Sequence, residues 1–227
     1  MTSSRPHPLR VALGVGTALA LDAALLALGF GDPGMLVRDP RALALLVLWA
    51  ATGVTLGVLR PARGQDVERG TPDPLPMVAL LVLPLAAAPL GAWGGRHALA
   101  VPPWANTISW AGVALVAGGL ALRVTAITRL GRRFAPIVAL QKGHVLETSG
   151  PYAFVRHPGY LGALLACLGA AVAFGSLVAL PVPALMLAAQ LVRVHREERL
   201  LAERFGAEWS AYAARTGALL PKLGLGR

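Results

Sequence analysis

Apolar residues run along this chain in long stretches that charge does not interrupt. No Asp, Glu, Lys or Arg occurs from Ala42 to Leu59, from Pro74 to Trp93, from His97 to Leu122, or from His157 to Val192. Each of the first three stretches holds one helix of about 20 residues, the length that crosses a bilayer core, and the last holds two once its polar HPGY start is set aside. Another apolar run, from Leu9 to Phe30, contains a single acid, Asp22. That run is longer than the apolar region of a signal peptide and reads as a retained helix. The pattern predicts an all-α, polytopic membrane protein with six spans near residues 9–30, 41–59, 75–95, 104–128, 159–175 and 177–194. Pro84 and Pro89 are expected to kink the third span, and Pro181 and Pro183 the sixth, because proline removes a backbone donor and clashes with the preceding turn. Gly53 and Gly57, in a GxxxG spacing, and the pair Gly118-Gly119 suit faces where helices approach closely.

Composition agrees with this reading: 56% of the 227 residues are apolar and 14% charged, whereas soluble chains carry about one charged residue in four. The net charge of +10 would fit nucleic acid, but its placement does not. Eighteen of the 21 basic residues fall in alternate segments: Arg5 and Arg10, then Arg60 to Arg69, Arg123 to Arg156, and Arg193 to Arg227. Only Arg38, Arg41 and Arg96 lie between them. By the positive-inside rule both termini are cytoplasmic in a cell (inner) membrane, and the basic residues meet membrane lipids, not nucleic acid. Segment 60–74 (RPARGQDVERGTPDP) reads as a solvated hairpin. The lone Cys167 can form neither an internal disulfide nor a metal cluster, and reads as a small buried apolar residue. His97 and His195 read as surface residues. Asp22 inside a span costs about 2.5 to 3.5 kcal/mol on insertion scales, and is assigned a structural hydrogen bond.

The segment from Arg129 to His157 is too polar to span a membrane and too patterned for a spacer. After the sixth span the chain continues as RVHREERLLAERFGAEWSAY (193–212). At about 100° per residue, Val194, Leu201, Phe205 and Tyr212 share one stripe with Trp209 beside it. Glu197 and Glu198 flank that stripe, and Arg196, Arg199 and Glu203 lie opposite. An amphipathic helix therefore leaves the membrane with two carboxylates at the margins of its buried face. GxxxxGK[ST], HExxH, GxSxG and CxxC are all absent, which disfavours nucleotide, zinc and serine hydrolysis. The remaining polar cluster comprises Gly143-His144, Gly150-Pro151-Tyr152, Arg156-His157-Pro158-Gly159-Tyr160, Arg193, Glu197 and Glu198.

The string GHVLETSGPYAFVRHPGYLG, followed by RVHREERLLAERFGAEWSAY and the ending ALLP, resembles the isoprenylcysteine carboxyl methyltransferases, which share a C-terminal core with the phospholipid N-methyltransferases. The likeness covers roughly residues 120 to 221, in a methyltransferase core spanning 104–227. Residues 1–103 form N-terminal helices without such a signature. The resemblance implies S-adenosyl-L-methionine as cofactor, contacted by His144, Val145, Leu146, Glu147, Tyr152, His157, Pro158, Gly159, Tyr160 and Glu197. It implies that Arg193 faces the acceptor carboxylate. A family glutamine upstream of the GH pair falls near Ala139, with Gln141 two residues on.

The residues suit that cofactor chemically. It presents a sulfonium, an ammonium, a carboxylate and an adenine; Glu197 or Glu198 can pair with the ammonium, His144, His157 or Arg156 with the carboxylate, and Tyr152 or Tyr160 can stack or face the sulfonium. Methyl transfer calls for no metal. It calls for in-line alignment and loss of water. The expected reaction is methyl esterification of a lipophilic small-molecule or lipid-modified carboxylate, with Arg193 and Glu198 as catalytic candidates. Alternatives are N-methylation of a phospholipid amine with Glu198 as base, a membrane reductase of related core, and a non-enzymatic transporter or scaffold.

Overall fold

The computed structural model describes residues 8–58, 67–71, 74–97, 99, 105–131, 138–141 and 145–222. Four helices are long and apolar enough to cross a membrane. They are α1 (Pro8–Phe30), α3 (Pro40–Val58), α4 (Pro74–Arg96) and α5 (Ala105–Leu130), with the single-turn α2 (Met35–Arg38) between the first two. Three more follow: α6 (Pro158–Val172), α7 (Pro181–Phe205) and α8 (Ala207–Arg215). The chain is thus a multi-pass helical membrane protein. One two-stranded antiparallel ribbon departs from the all-helical expectation among the described residues. In it β1 (Val67–Thr71) pairs with β2 (Val138–Gln141), Thr71 opposite Val138. The segment read as a solvated hairpin thus supplies a strand, because backbone groups outside a helix still need partners and β2 offers them.

Both ends of the predicted fifth and sixth spans shift. α6 has 15 residues, about 22 Å at 1.5 Å per residue and short of a bilayer core. α7 begins at Pro181, so Pro181 and Pro183 start that helix and do not kink its middle. Proline is well placed there, since the N–H it lacks would have no helical partner. Pro84 and Pro89 do lie inside α4. The helix expected over 193–212 breaks at Gly206, whose φ of 50° lies in the left-handed region and turns the chain from α7 into α8.

Helix α3 packs on α5 and α4 on α6 and α7, with α1 against α3 and α4. One apolar core draws Leu26, Leu45, Ala88, Val116, Ala170 and Met186 from both halves of the chain, with Cys167 buried in it. Gly53 and Gly57 of α3 face Val15 and Val11 of α1, as their spacing suggested. In the Gly118-Gly119 pair only Gly119 meets a neighbour. The most extensive close approach joins α5 to α6. A Cβ on Gly112 would lie 2.7 Å from the Gly169 carbonyl oxygen, and one on Gly119 would lie 2.6 Å from that of Gly162. Returning the contact, a Cβ on Gly162 would lie 2.5 Å from Gly119 O and 2.7 Å from Arg123 N.

Because rigid backbone fills that space, Gly162→Ala is expected to destabilise the fold by about 1 to 3 kcal/mol, the usual cost of overpacking. Gly118→Ala, with nothing within 4 Å of the new Cβ, is expected to be neutral or to stabilise by up to about 1 kcal/mol through helix propensity. Unfolding in mixed detergent micelles compares the two.

Candidate active site

The polar cluster forms where the loop after β2 enters α6. Gly150 adopts φ 57°, a left-handed turn that a side chain would strain, and a 3-10 turn follows over Gly150–Ala153. Tyr152 in that turn is buried, and its hydroxyl donates to Ala126 O of α5 at 3.3 Å. The Tyr152 carbonyl accepts from Tyr212 Oη of α8 at 2.7 Å. Burial pushes the Tyr212 phenol up to about 12, although Arg156 and Arg215 pull the other way. The ALLP segment of the sequence motif closes over the loop. Arg156 N donates to Gly217 O at 2.8 Å and His157 N to Ala218 O at 3.0 Å. His157 then caps α6, with Pro158 as its first residue.

The two adjacent glutamates of α7 do different things. Glu198 Oε1 accepts from Arg156 Nε at 2.8 Å and from His157 Nε2 at 3.1 Å. A carboxylate can only accept, so the proton sits on Nε2 of His157. Arg156 also donates to the carbonyls of Ala213 and Thr216, and its guanidinium lies 5.7 Å from the Trp209 ring centre. Burial raises the Glu198 carboxyl, but the hydrogen bonds from His157 and Arg156, and the positive charge behind them, outweigh it and lower Glu198 to about 2. The result is a held anion that ties α7 to the start of α6, an environment for anchoring and not for taking up a proton.

Glu197 faces the other way. Its Oε2 accepts from Tyr160 Oη at 3.2 Å and lies 4.0 Å from His157 Nδ1, while its side chain remains 36% exposed. Arg193, one turn earlier and only 4% exposed, donates from Nε to Tyr160 Oη at 3.2 Å. Tyr160 thus joins a buried cation to a rim carboxylate. The backbone of the same α6 turn is held as well: Arg123 of α5 donates to Gly159 O at 3.0 Å and Gln190 of α7 to Tyr160 O at 3.0 Å.

Of the residues singled out from sequence, His157, Pro158, Gly159, Tyr160, Arg193, Glu197 and Glu198 come together here. Tyr152 and Glu147 lie on the loop flank, where the Glu147 charge acts on Tyr212. Glu147 Oε1 accepts from Ser149 N at 3.1 Å, and Val145 is exposed. His144 lies outside the described residues, as do the side chains of Ala139 and Gln141. Sequence reasoning passed over Arg123 and Gln190. The signal was available in Gln190, an amide inside a charge-free run and three residues before Arg193.

Fold and site together define a multi-pass helical membrane protein with a polar site at the mouth of a tightly packed helical hairpin. Residues 112–203 match the model of the isoprenylcysteine carboxyl methyltransferase (ICMT) family, the same stretch that carries most of the motif resemblance. The chain is 39% identical over 103 residues to the cobalt-zinc-cadmium resistance protein CzcN of Cupriavidus metallidurans, covering 44% of this chain and 47% of that one. It is 34% identical over 106 residues to the protein-S-isoprenylcysteine O-methyltransferase of Schizosaccharomyces pombe, covering 45% of each. The chain thus spans somewhat less than half the length of these relatives. In three dimensions it is similar to the eukaryotic intramembrane Ras methyltransferase ICMT, with a TM-score of 0.53 at 21% identity, covering 88% of this chain and 73% of that one. That likeness concerns the fold.

Glu198 contributes stability as an anion. Its folded-state pKa is depressed below the ordinary carboxylate value, so the contribution is fully present above about pH 4.5 and is lost as pH falls toward 2. Glu198→Gln is therefore expected to destabilise at pH 7 by about 1.5 to 3 kcal/mol, the worth of charge-assisted hydrogen bonds. The gap from wild type should shrink as unfolding is followed down to pH 3.

Proposed function

We infer that this chain is a membrane-embedded methyltransferase that uses S-adenosyl-L-methionine to methylate a lipophilic, isoprenoid-like or lipid-modified carboxylate. The observation that carries the reading is the Arg193–Tyr160–Glu197 unit, a buried guanidinium and a rim carboxylate joined through one phenol. The motif resemblance and the family match over residues 112–203 support it.

The residues present fit the cofactor. Glu197, half-exposed at the rim, suits an ammonium, the Tyr160 ring suits a sulfonium face, and the 145–152 loop with Tyr152 supplies the remaining contacts together with His144. When bound, the cofactor supplies an electrophilic methyl on a cationic sulfonium. Arg193 orients the acceptor carboxylate, and its near-complete burial removes the water that would compete for it. Tyr160 keeps Arg193 and Glu197 in register. An acceptor carboxylate is ionised at neutral pH and needs no base, whereas an ammonium acceptor must first lose a proton. Glu198, lowered to about 2 by its partners, is poorly suited to take that proton, which favours esterification over N-methylation.

In this reading α6 and α7 complete six spans, with α7 leaving the membrane near Arg193. The cationic segments and both termini face the cytoplasm of a cell membrane. The core is 104–227, and the helices of 1–103 enclose it on the bilayer side.

Glu197→Gln is expected to weaken S-adenosylhomocysteine binding roughly ten- to a hundred-fold, from the loss of about 1.5 to 3 kcal/mol of charge-assisted hydrogen bonding. The exposed Glu203→Gln should change it little. Isothermal titration of the purified protein measures both, and equal effects would remove Glu197 from the cofactor site.

Arg193→Gln is expected to raise the acceptor KM or lower kcat at least tenfold, with S-adenosylhomocysteine affinity altered only a few-fold. Wild-type turnover should be flat from about pH 6 to 8, since no acceptor proton has to leave. A rate that climbs with pH and survives loss of Arg193 would point to an amine acceptor.

A further inference from the structure

Helix α7 carries a second charged face that the candidate site does not use. Gln190, Arg193 and Glu197 lie on its inner face, where all three meet Tyr160. At about 100° per residue, Leu185, Ala188, Val192, Arg196, Arg199 and Glu203 fall within one stripe on the opposite side. All six are exposed, Leu185 at 59% and Val192 at 44%, so among the described residues no element covers this stripe. Its first half is apolar, and the turn that follows is basic.

The spacing along the stripe matches the layers of a bilayer. Headgroups add about 5 to 7 Å to each side of the hydrocarbon core. Val192 is the last apolar residue of the stripe, and by the helical rise Arg196 lies about 6 Å beyond it along the axis, Arg199 about 10 Å and Glu203 about 16 Å. Side chains lean toward the N-terminus of their helix, here back toward the bilayer, and a long arginine side chain carries its guanidinium further in that direction. Both arginines therefore reach the phosphate level, while the shorter acid of the stripe stays in water. Two guanidiniums above an exposed Val and Leu are complementary to a phosphodiester that carries acyl chains. A net negative headgroup suits them better than a zwitterionic one, whose ammonium would meet the same two cations.

We propose that the outer face of α7 is a binding site for one anionic phospholipid, with Arg196 and Arg199 on the headgroup phosphate and Val192 and Leu185 along an acyl chain. This lipid is neither cofactor nor methyl acceptor. It lies on the side of α7 turned away from Arg193 and Glu197, where it fixes the depth at which the helix crosses the headgroup layer. The inference rests on the reading that α7 leaves the membrane near Arg193, and is independent of the reaction assigned to the site.

The test places the full-length protein in nanodiscs of phosphatidylcholine and phosphatidylglycerol in equal parts and identifies the lipids it retains by native mass spectrometry. Retained phosphatidylglycerol should exceed phosphatidylcholine by about fivefold or more in the wild type, since each guanidinium near the surface is worth about that factor toward an anionic lipid. Replacing both arginines, Arg196→Gln with Arg199→Gln, should bring the ratio to within about twofold, whereas Arg204→Gln, exposed and about 18 Å beyond Val192, should leave it unchanged. Wild-type enrichment requires no variant, so the inference stays exposed even if the double substitution impairs folding. Equal retention of the two lipids by the wild type would overturn it. Enrichment that persists in the double variant would do the same, by tracing the effect to the net charge of +10 as a whole. So would displacement of the lipid by millimolar inorganic phosphate, which would make this a site for a free anion. A separate arm checks the depth of α7: Leu185→Cys in a Cys167→Ala background should resist a water-soluble maleimide in the same nanodiscs. Modification there would remove the placement of α7 and this inference with it, while protection without enrichment would overturn the inference alone.

Discussion

In a bilayer, apolar side chains gain little by exchanging lipid for a neighbouring helix, so helices there are held by close contact between small residues. That constraint is concentrated between α5 and α6. Gly112 lies against Gly169 and Gly119 against Gly162, seven residues apart on both helices, and each Cβ position is filled by the partner's backbone. With the two backbones this close, the first turn of α6 is brought beside the C-terminal end of α5, where Arg123 donates to Gly159 O and Ala126 accepts from Tyr152. The position of Tyr160, and through it of Arg193 and Glu197, follows from a contact made by residues with no side chain at all.

On this scaffold, two neighbouring carboxylates are separated in role by a single helical step. Successive residues on a helix point about 100° apart. Glu198 therefore meets Arg156 and His157 under the cover of residues 216–218, while Glu197 meets Tyr160 and stays open to solvent. The first locks α7 to the loop that precedes α6. The second leaves a carboxylate where a cationic ligand can reach it. The same pairing of anchored and accessible charge recurs on the arginines, with Arg156 committed to Glu198 and backbone carbonyls and Arg193 placed on the inner face.

The relatives divide in a way that separates scaffold from chemistry. A cobalt-zinc-cadmium resistance protein and a protein-S-isoprenylcysteine O-methyltransferase are each similar to somewhat less than half of the chain, so likeness over such a fraction describes a scaffold and does not by itself fix the chemistry. In this protein the scaffold includes α4 against α7 and the α1, α3 and α4 helices that share one apolar core with α5 to α7.

Much was legible along the chain because a bilayer imposes strict rules on sequence. Apolar runs of about 20 residues located α1, α3, α4 and α5 to within a residue or two, and the RHPGY and EE motifs located the polar cluster, since spans must be apolar and clustered charges must lie at their ends. The runs could not divide 157–192 correctly. Hydropathy does not distinguish a helix from a bent connection of equal polarity, so the break over 173–180 and the start of α7 at Pro181 were decided by backbone geometry. Helical phase predicted that Glu197 and Glu198 flank a buried face but not which partners they take, because Arg156 and His157 lie some 40 residues away and reach Glu198 only after α6 and α7 fold together. The pairing of β1 with β2 and the unpartnered oxygen of Gln190 belong to the same category. Local physics sets where elements form and which faces are apolar, while long-range contact sets which polar atoms are satisfied and by which partners.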